Sequence, residues 1–105
     1  MPKALFVDTV YERTHKLAQR LQEDYNTNST ACRVTFDIKE GRKYYKIVEV
    51  NGGVHAFVDI KSGDVFKPAS YNKPARHVRY NLLDDSSYNE CLNRADWAGG
   101  YLYIR

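Results

Sequence analysis

Residues 61–80 are where residue type and spacing in this 105-residue chain come nearest to a chemistry. Lys61, Lys67, Lys73, Arg76 and Arg79 stand there against Asp64 alone, while the rest of the chain is close to neutral and the whole carries a net charge of +3. Phe66, Tyr71, His77 and Tyr80 lie among these cations. Cations interleaved with flat rings suit a single nucleic-acid strand. The cations follow the phosphates, and the rings stack on bases for roughly 1–3 kcal/mol per base. Lys67, Lys73, Arg76 and Arg79 are therefore the candidate phosphate ligands, with Tyr71 and Tyr80 as stacking residues and His77 beside them. The competing reading is a solvated surface connection with Tyr71 and Tyr80 at the edge of a core.

Catalytic patterns are poor by comparison. His15, His55 and His77 show no HxH or HxxxH spacing, and His55 reads as a structural or surface residue. Cys32 and Cys91 are too few for a disulfide scaffold or a zinc site, and nothing beside either marks an activated thiol. Asp84-Asp85 reads as a helix end, and Ser62-Gly63-Asp64 and Gly52-Gly53 are too short for phosphate-cradling loops. The expectation is a protein with no catalytic residues, no metal site and no cofactor. The Asn28-Ser29-Thr30 sequon has no visible signal peptide to give it meaning, and apolar runs such as Leu5–Val7 are too short to span a bilayer. A cytoplasmic protein with no membrane partner is expected.

Elements that could position these residues follow from periodicity. Thr9-Val10-Tyr11-Glu12 has the form of a capping box, and Val10, Thr14, Leu17, Ala18, Leu21 and Tyr25 recur at spacings of three and four. A helix over about 9–25 is predicted. The period then changes to two, giving strands over about 33–39, 43–50, 54–60 and 64–67, joined by Glu40-Gly41-Arg42, Asn51-Gly52-Gly53 and Ser62-Gly63-Asp64. Alternation sends one of Tyr44 and Tyr45 inward, and sets Val54, Ala56, Val58 and Ile60 against His55, Phe57 and Asp59. Pro74 followed by Ala75, Val78 and Leu82 suggests a short helix from about Pro74 to Leu83. Ser87-Tyr88-Asn89-Glu90 opens another through Arg94, and Tyr101–Ile104 reads as a last strand over 101–104. Nine tyrosines, with Tyr101 and Tyr103 on that strand, fit stacking surfaces or subunit interfaces.

Residues 54–83, VHAFVDIKSGDVFKPASYNKPARHVRYNLL, carry a resemblance. Asp59-Ile60-Lys61-Ser62-Gly63-Asp64-Val65-Phe66-Lys67-Pro68-Ala69-Ser70 and Lys73-Pro74-Ala75-Arg76-His77-Val78-Arg79-Tyr80-Asn81-Leu82 resemble the paired motifs of a group of small uncharacterised proteins from marine metagenomes and cyanophages. Tyr71 departs from the tryptophan that group places after Ala-Ser, and keeps a flat ring. The resemblance implies one α+β domain over 1–105, mainly antiparallel: an N-terminal helix and a small Sm-like five-stranded barrel. It also implies a phage protein acting in the cytoplasm of an infected cell, and a ring-like homo-oligomer whose fourth and fifth strands pair between subunits. Val65, Phe66, Tyr101 and Tyr103 would form that interface. Two things count against the ring: the linker before the last strand is long, and Sm-type RNA signatures are absent. The order helix, three strands, helix also matches a double-stranded-RNA-binding domain, against which the surplus last strand and the proline-rich entry count. The expected function is binding of RNA or single-stranded DNA in nucleic-acid processing. The alternative is a protein-interaction module, as a virion component or a modulator of a host protein.

Overall fold

The computed structural model describes residues 2–28, 35–50, 52–96 and 99–103, with side chains from Thr9 to Asn26 in the first helix. Cys32, Ser29-Thr30 of the sequon, Arg33 and Val34 at the expected start of the first strand, Asn51, and Ile104 lie outside the described residues. The element order is α1 (Pro2–Asn28), β1 (Phe36–Glu40), β2 (Tyr44–Glu49), β3 (Val54–Asp59), β4 (Asp64–Ser70), β5 (Lys73–Asn81), α2 (Asp85–Arg94) and a 3₁₀ turn, Gly100–Tyr103. The strands form one antiparallel meander in sequence order. The class is α+β with an N-terminal helix, as expected. The sheet is open, with β1 and β5 at its two ends, so no closed barrel is formed.

Four expected boundaries are corrected. The first helix begins at Pro2, not near Thr9, because proline is tolerated in a first helical turn and nothing between it and Thr9 breaks a helix. The capping-box residues Thr9 and Glu12 therefore sit inside α1. The segment Pro74–Leu83 is no helix: most of it is β5, whose pairing with β4 overrides the helical spacing of Ala75, Val78 and Leu82. Pro68 faces Pro74 in that ladder, and the register shifts on both sides of them, as two residues without an amide donor require. The last helix starts at Asp85, where the Asp84 carboxylate accepts from the Ser86 amide. Ser87 instead takes the Asn81 amide on its hydroxyl at 2.8 Å. Finally, residues 101–103 of the expected last strand lie in a 3₁₀ turn, entered through Gly99 at φ +86° and closed by the Leu102 amide on the Gly99 carbonyl.

The core lies between α1 and one face of the sheet. Val10, Thr14, Leu17, Ala18, Leu21 and Tyr25 are all buried, so the apolar stripe of the helix is the one its spacing predicted. Against them pack Phe36, Tyr45, Ile47, Ala56, Val58, Val65 and Tyr80, with Cys91 of α2 and Tyr101 and Leu102 of the 3₁₀ turn. Arg13 ties the two helices. Its guanidinium donates to the Leu82 carbonyl at 2.8 Å, meets the Asp85 carboxylate at 2.9 Å and lies over the Tyr88 ring.

The motif that carries the resemblance is a turn latch. One Asp59 carboxylate oxygen accepts from the amides of Lys61 and Ser62, both at 2.9 Å. Gly63 follows at φ +77°, where a Cβ would sit 3.1 Å from Leu83 Cγ, so only glycine fits both the backbone angle and the space. The Asn81 side chain closes the latch by donating to Ser62 and Asp64 and accepting from Leu83 and Asp84.

The strand edges expected to pair between subunits lie elsewhere in the fold than the sequence placed them. β4 is hydrogen-bonded to β3 on one side and β5 on the other, so Val65 and Phe66 have no free edge. Tyr101 and Tyr103, lying in the 3₁₀ turn, supply no strand to pair with it. Both end strands also have backbone groups already taken by side chains. Gln22 accepts from the Phe36 amide and Asp37 from the Ile38 amide, while Arg79 donates to the His77 carbonyl. Side chains on edge groups discourage strand addition.

Candidate nucleic-acid interface

Residues paired directly across antiparallel strands share a face, so the register sorts the sheet. The inner row runs Glu40, Tyr45, Val58, Val65, Tyr80 and turns toward α1. The row beside it on the opposite face runs Lys39, Lys46, Phe57, Phe66, Val78, one residue from each strand. The helices pack on the inner face, through Val10, Leu17 and Leu21 of α1 and Cys91 of α2. To the outer row Tyr44 adds its ring, edge-on to both Phe57 at 5.6 Å and Phe66 at 6.1 Å. Lys43 lies 5.5 Å from the Tyr44 ring centre.

The turn between β4 and β5 reaches over this face. Lys46 Nζ, on β2, sits 4.4 Å from the centre of the Tyr71 ring and donates to Asn72 Oδ1 at 3.1 Å. It also lies 5.8 Å from the Phe57 ring, which is only 1% exposed. The sheet is thus curled, with the hairpin tip passing above β3 to meet β2. Two grooves result. One of about 270 Å³ is lined by Asp37, Lys39, Val48, Glu49, Val50, Gly52 and Tyr71. The other, of about 240 Å³, is lined by Gly53, Val54, Pro68, Ala69, Ser70 and Tyr71. Tyr71 is the wall they share, and it is 51% exposed. Lys39 lines the first groove together with Asp37 and Glu49, so its charge is mixed.

The residues singled out from the sequence are not gathered on one surface. Tyr71 and Phe66 belong to the outer face. Tyr80 is in the inner core, donating to the Tyr101 carbonyl at 3.1 Å, so its ring is not a stacking platform. Val65 is fully buried in the same core, and Tyr101 is buried there too. Arg79 is committed to the backbone: its Nε donates to the Leu102 carbonyl and its Nη1 to the His77 carbonyl, both at 2.6 Å. Lys67 covers the ring of Tyr103, which is 68% exposed. Lys73, Arg76 and His77 are exposed on β5. Lys39, Lys43, Lys46, Tyr44 and Phe57 were missed because charge was counted along the chain. Period-two alternation already places Tyr44 and Lys46 on one face of their strand, and only the register joins Lys46, Phe57 and Phe66 into a row.

His55 is the extra residue at the bulge where Ile47 pairs with Ala56 and Val48 with Val54. The bulge turns it to the inner face, not the outer one that strict alternation gave. There its Nε2 meets the Tyr101 hydroxyl at 2.8 Å, and its ring stacks on Tyr101 and abuts Phe36. Burial lowers its pKa to about 4, against a smaller opposing pull from Asp96, so it is neutral at pH 7. Burial likewise pushes the Cys91 thiol up to about 12, which keeps it unreactive. Among the described residues, no three His, Cys, Asp or Glu side chains are grouped to hold a metal. No described helix is long and apolar enough to cross a membrane.

A model of a protein family matches residues 3–104. The chain belongs to DUF7717, a family of unknown function. The inner core, the Asp59–Asn81 latch and the outer row all lie inside the stretch that DUF7717 matches. Comparison with curated proteins and with solved structures gave no match.

Proposed function

We propose that the chain binds single-stranded nucleic acid across the outer face of its sheet. Tyr71, Phe66 and Tyr44 serve as ring contacts, and Lys39, Lys43 and Lys46 lie along the phosphate path. One observation carries the reading: on the sheet face opposite the helix-packed core, two lysines, Lys39 and Lys46, continue into two aromatic rings, Phe57 and Phe66, in a single cross-strand row. Sheets that recognise RNA use aromatic side chains on such a face to stack bases, and cations beside them give sequence-tolerant affinity. The exposed Lys73 lies beside the same hairpin tip, and Arg76 follows on β5. They extend the cationic surface, in place of the residue set read along the chain. Function in nucleic-acid processing inside a phage-infected cell belongs to this proposal as the setting that the resemblance suggests.

The test is fluorescence anisotropy of a labelled oligothymidylate titrated at low and moderate salt. Affinity should fall with salt, with a logarithmic slope of about −0.7 for each phosphate neutralised on a single strand. Tyr71→Leu should weaken binding, and Lys39→Gln should reduce the slope. No binding at low salt overturns the reading. So does binding that Lys73→Ala/Arg76→Ala abolishes while both outer-face variants leave it unchanged. A protein-interaction role is the second reading, favoured by Val78, which is 49% exposed at the end of the outer row. It predicts a partner whose binding scarcely responds to salt.

A further inference from the structure

We infer that Lys46 caps one face of the Tyr71 ring in the free protein, and that a nucleic-acid strand binds by exchanging the Lys46–Tyr71 contact for base stacking on Tyr71. The inference rests on the reading above and names the residue that controls the site. In the free protein one face of the Tyr71 ring is already occupied, by the Lys46 ammonium at 4.4 Å from its centre. The same ammonium donates to Asn72 Oδ1 at 3.1 Å, so a single side chain of β2 clasps both residues of the β4–β5 turn. Tyr71 is also the wall common to the two grooves, so a base entering either one meets that ring.

The exchange is favourable for a ligand that carries both a flat ring and an anion. A cation over an exposed aromatic ring is a weaker contact than a stacked base. An ammonium displaced from the ring keeps its charge and its three donors, and a lysine stem is long enough to turn to a phosphate next to the stacked base. A duplex offers no free base face to Tyr71, so it gains nothing from the exchange. An anion without a ring can draw Lys46 away but leaves Tyr71 uncovered.

Two variants separate this exchange from a clasp that only braces the hairpin. Asn72→Ala loosens the clasp and keeps the ammonium, so oligothymidylate should bind about threefold tighter, since more of the free protein is already open. Lys46→Met removes the charge, so the salt slope should fall by about 0.7. In the free protein, both variants should speed amide hydrogen exchange at Tyr71 and Asn72. Weaker binding by Asn72→Ala, or an unchanged salt slope in Lys46→Met, overturns the exchange while leaving the outer-face reading intact. Equal affinity for the oligothymidylate and its duplex with oligodeoxyadenylate overturns the exchange and, with it, base stacking on the outer face. Absence of oligothymidylate binding by the unaltered protein overturns both.

Discussion

The two faces of the sheet use the same residue types to opposite ends. On the inner face, tyrosines and arginines are consumed by the fold. Tyr80 donates to the Tyr101 carbonyl, Tyr101 meets His55, Arg13 holds Leu82 and Asp85, and Arg79 holds Leu102 and His77. Among the described residues no buried side-chain nitrogen or oxygen lacks a hydrogen-bond partner. On the outer face, lysines and rings meet chiefly through cation–π contacts, which hold loosely and can be exchanged. Aromatic and basic residues mark function only where the fold has not already spent their polar groups.

The largest expected effect breaks the inner face alone. Leu17 is fully buried against the sheet, and Leu17→Ala should cost about 2–5 kcal/mol by denaturant unfolding. If the two faces are independent, oligonucleotide affinity measured where the variant is still folded should not change.

Acid tests the same side through His55. Its folded pKa, about 4, lies below the ordinary 6.5, so the unfolded chain binds the extra proton first as pH falls. Stability is complete above pH 6.5 and is lost progressively down to pH 4, by about 3 kcal/mol for a displacement of this size. His55→Gln should lower stability at pH 7 and flatten this dependence. An unaltered slope between pH 6.5 and 4 would place the titrating group elsewhere.

A smaller effect sharpens the contrast between neighbouring arginines. Arg79→Ala removes two hydrogen bonds from a half-buried guanidinium and should cost about 1–2 kcal/mol. Arg76→Ala, at an exposed position on the same strand, should stay within about 0.5 kcal/mol. Similar costs for both would show that the tie from β5 to the 3₁₀ turn contributes little. Smallest of all on stability is Tyr71→Ala, again within about 0.5 kcal/mol, although on this account it should weaken oligonucleotide binding by about 1–3 kcal/mol.

Much of the fold was legible because local rules and tertiary packing agreed. The α1 stripe from Val10 to Tyr25 keeps the helical spacing, and β2 buries Tyr45 and Ile47 between the half-buried Tyr44 and Lys46. Legibility ended where long-range pairing overrode local preference. Pro74 and the spacing of Ala75, Val78 and Leu82 favour a helix until β4 is there to pair with. Tyr101–Tyr103 has strand composition, yet Gly99 and the Asp96 carbonyl and carboxylate turn it into 3₁₀. The site was half legible. Tyr71 and Phe66 were found by composition, whereas Lys46 stands 25 residues before Tyr71 in the chain and reaches it only because the sheet curls. Counting charge along the chain also gathered Arg79 and Tyr80, whose polar groups point to carbonyls that no local pattern reveals.

The most direct test of the outer face as the working face is a chemical-shift map of the isotope-labelled protein titrated with oligothymidylate at low salt. The account predicts that the shifts which move fall on Lys39, Tyr44, Lys46, Phe66 and Tyr71, with Tyr80, Tyr101 and Arg79 still. Shifts confined to Arg76, His77, Lys67 and Tyr103, with the outer row unmoved, would contradict it.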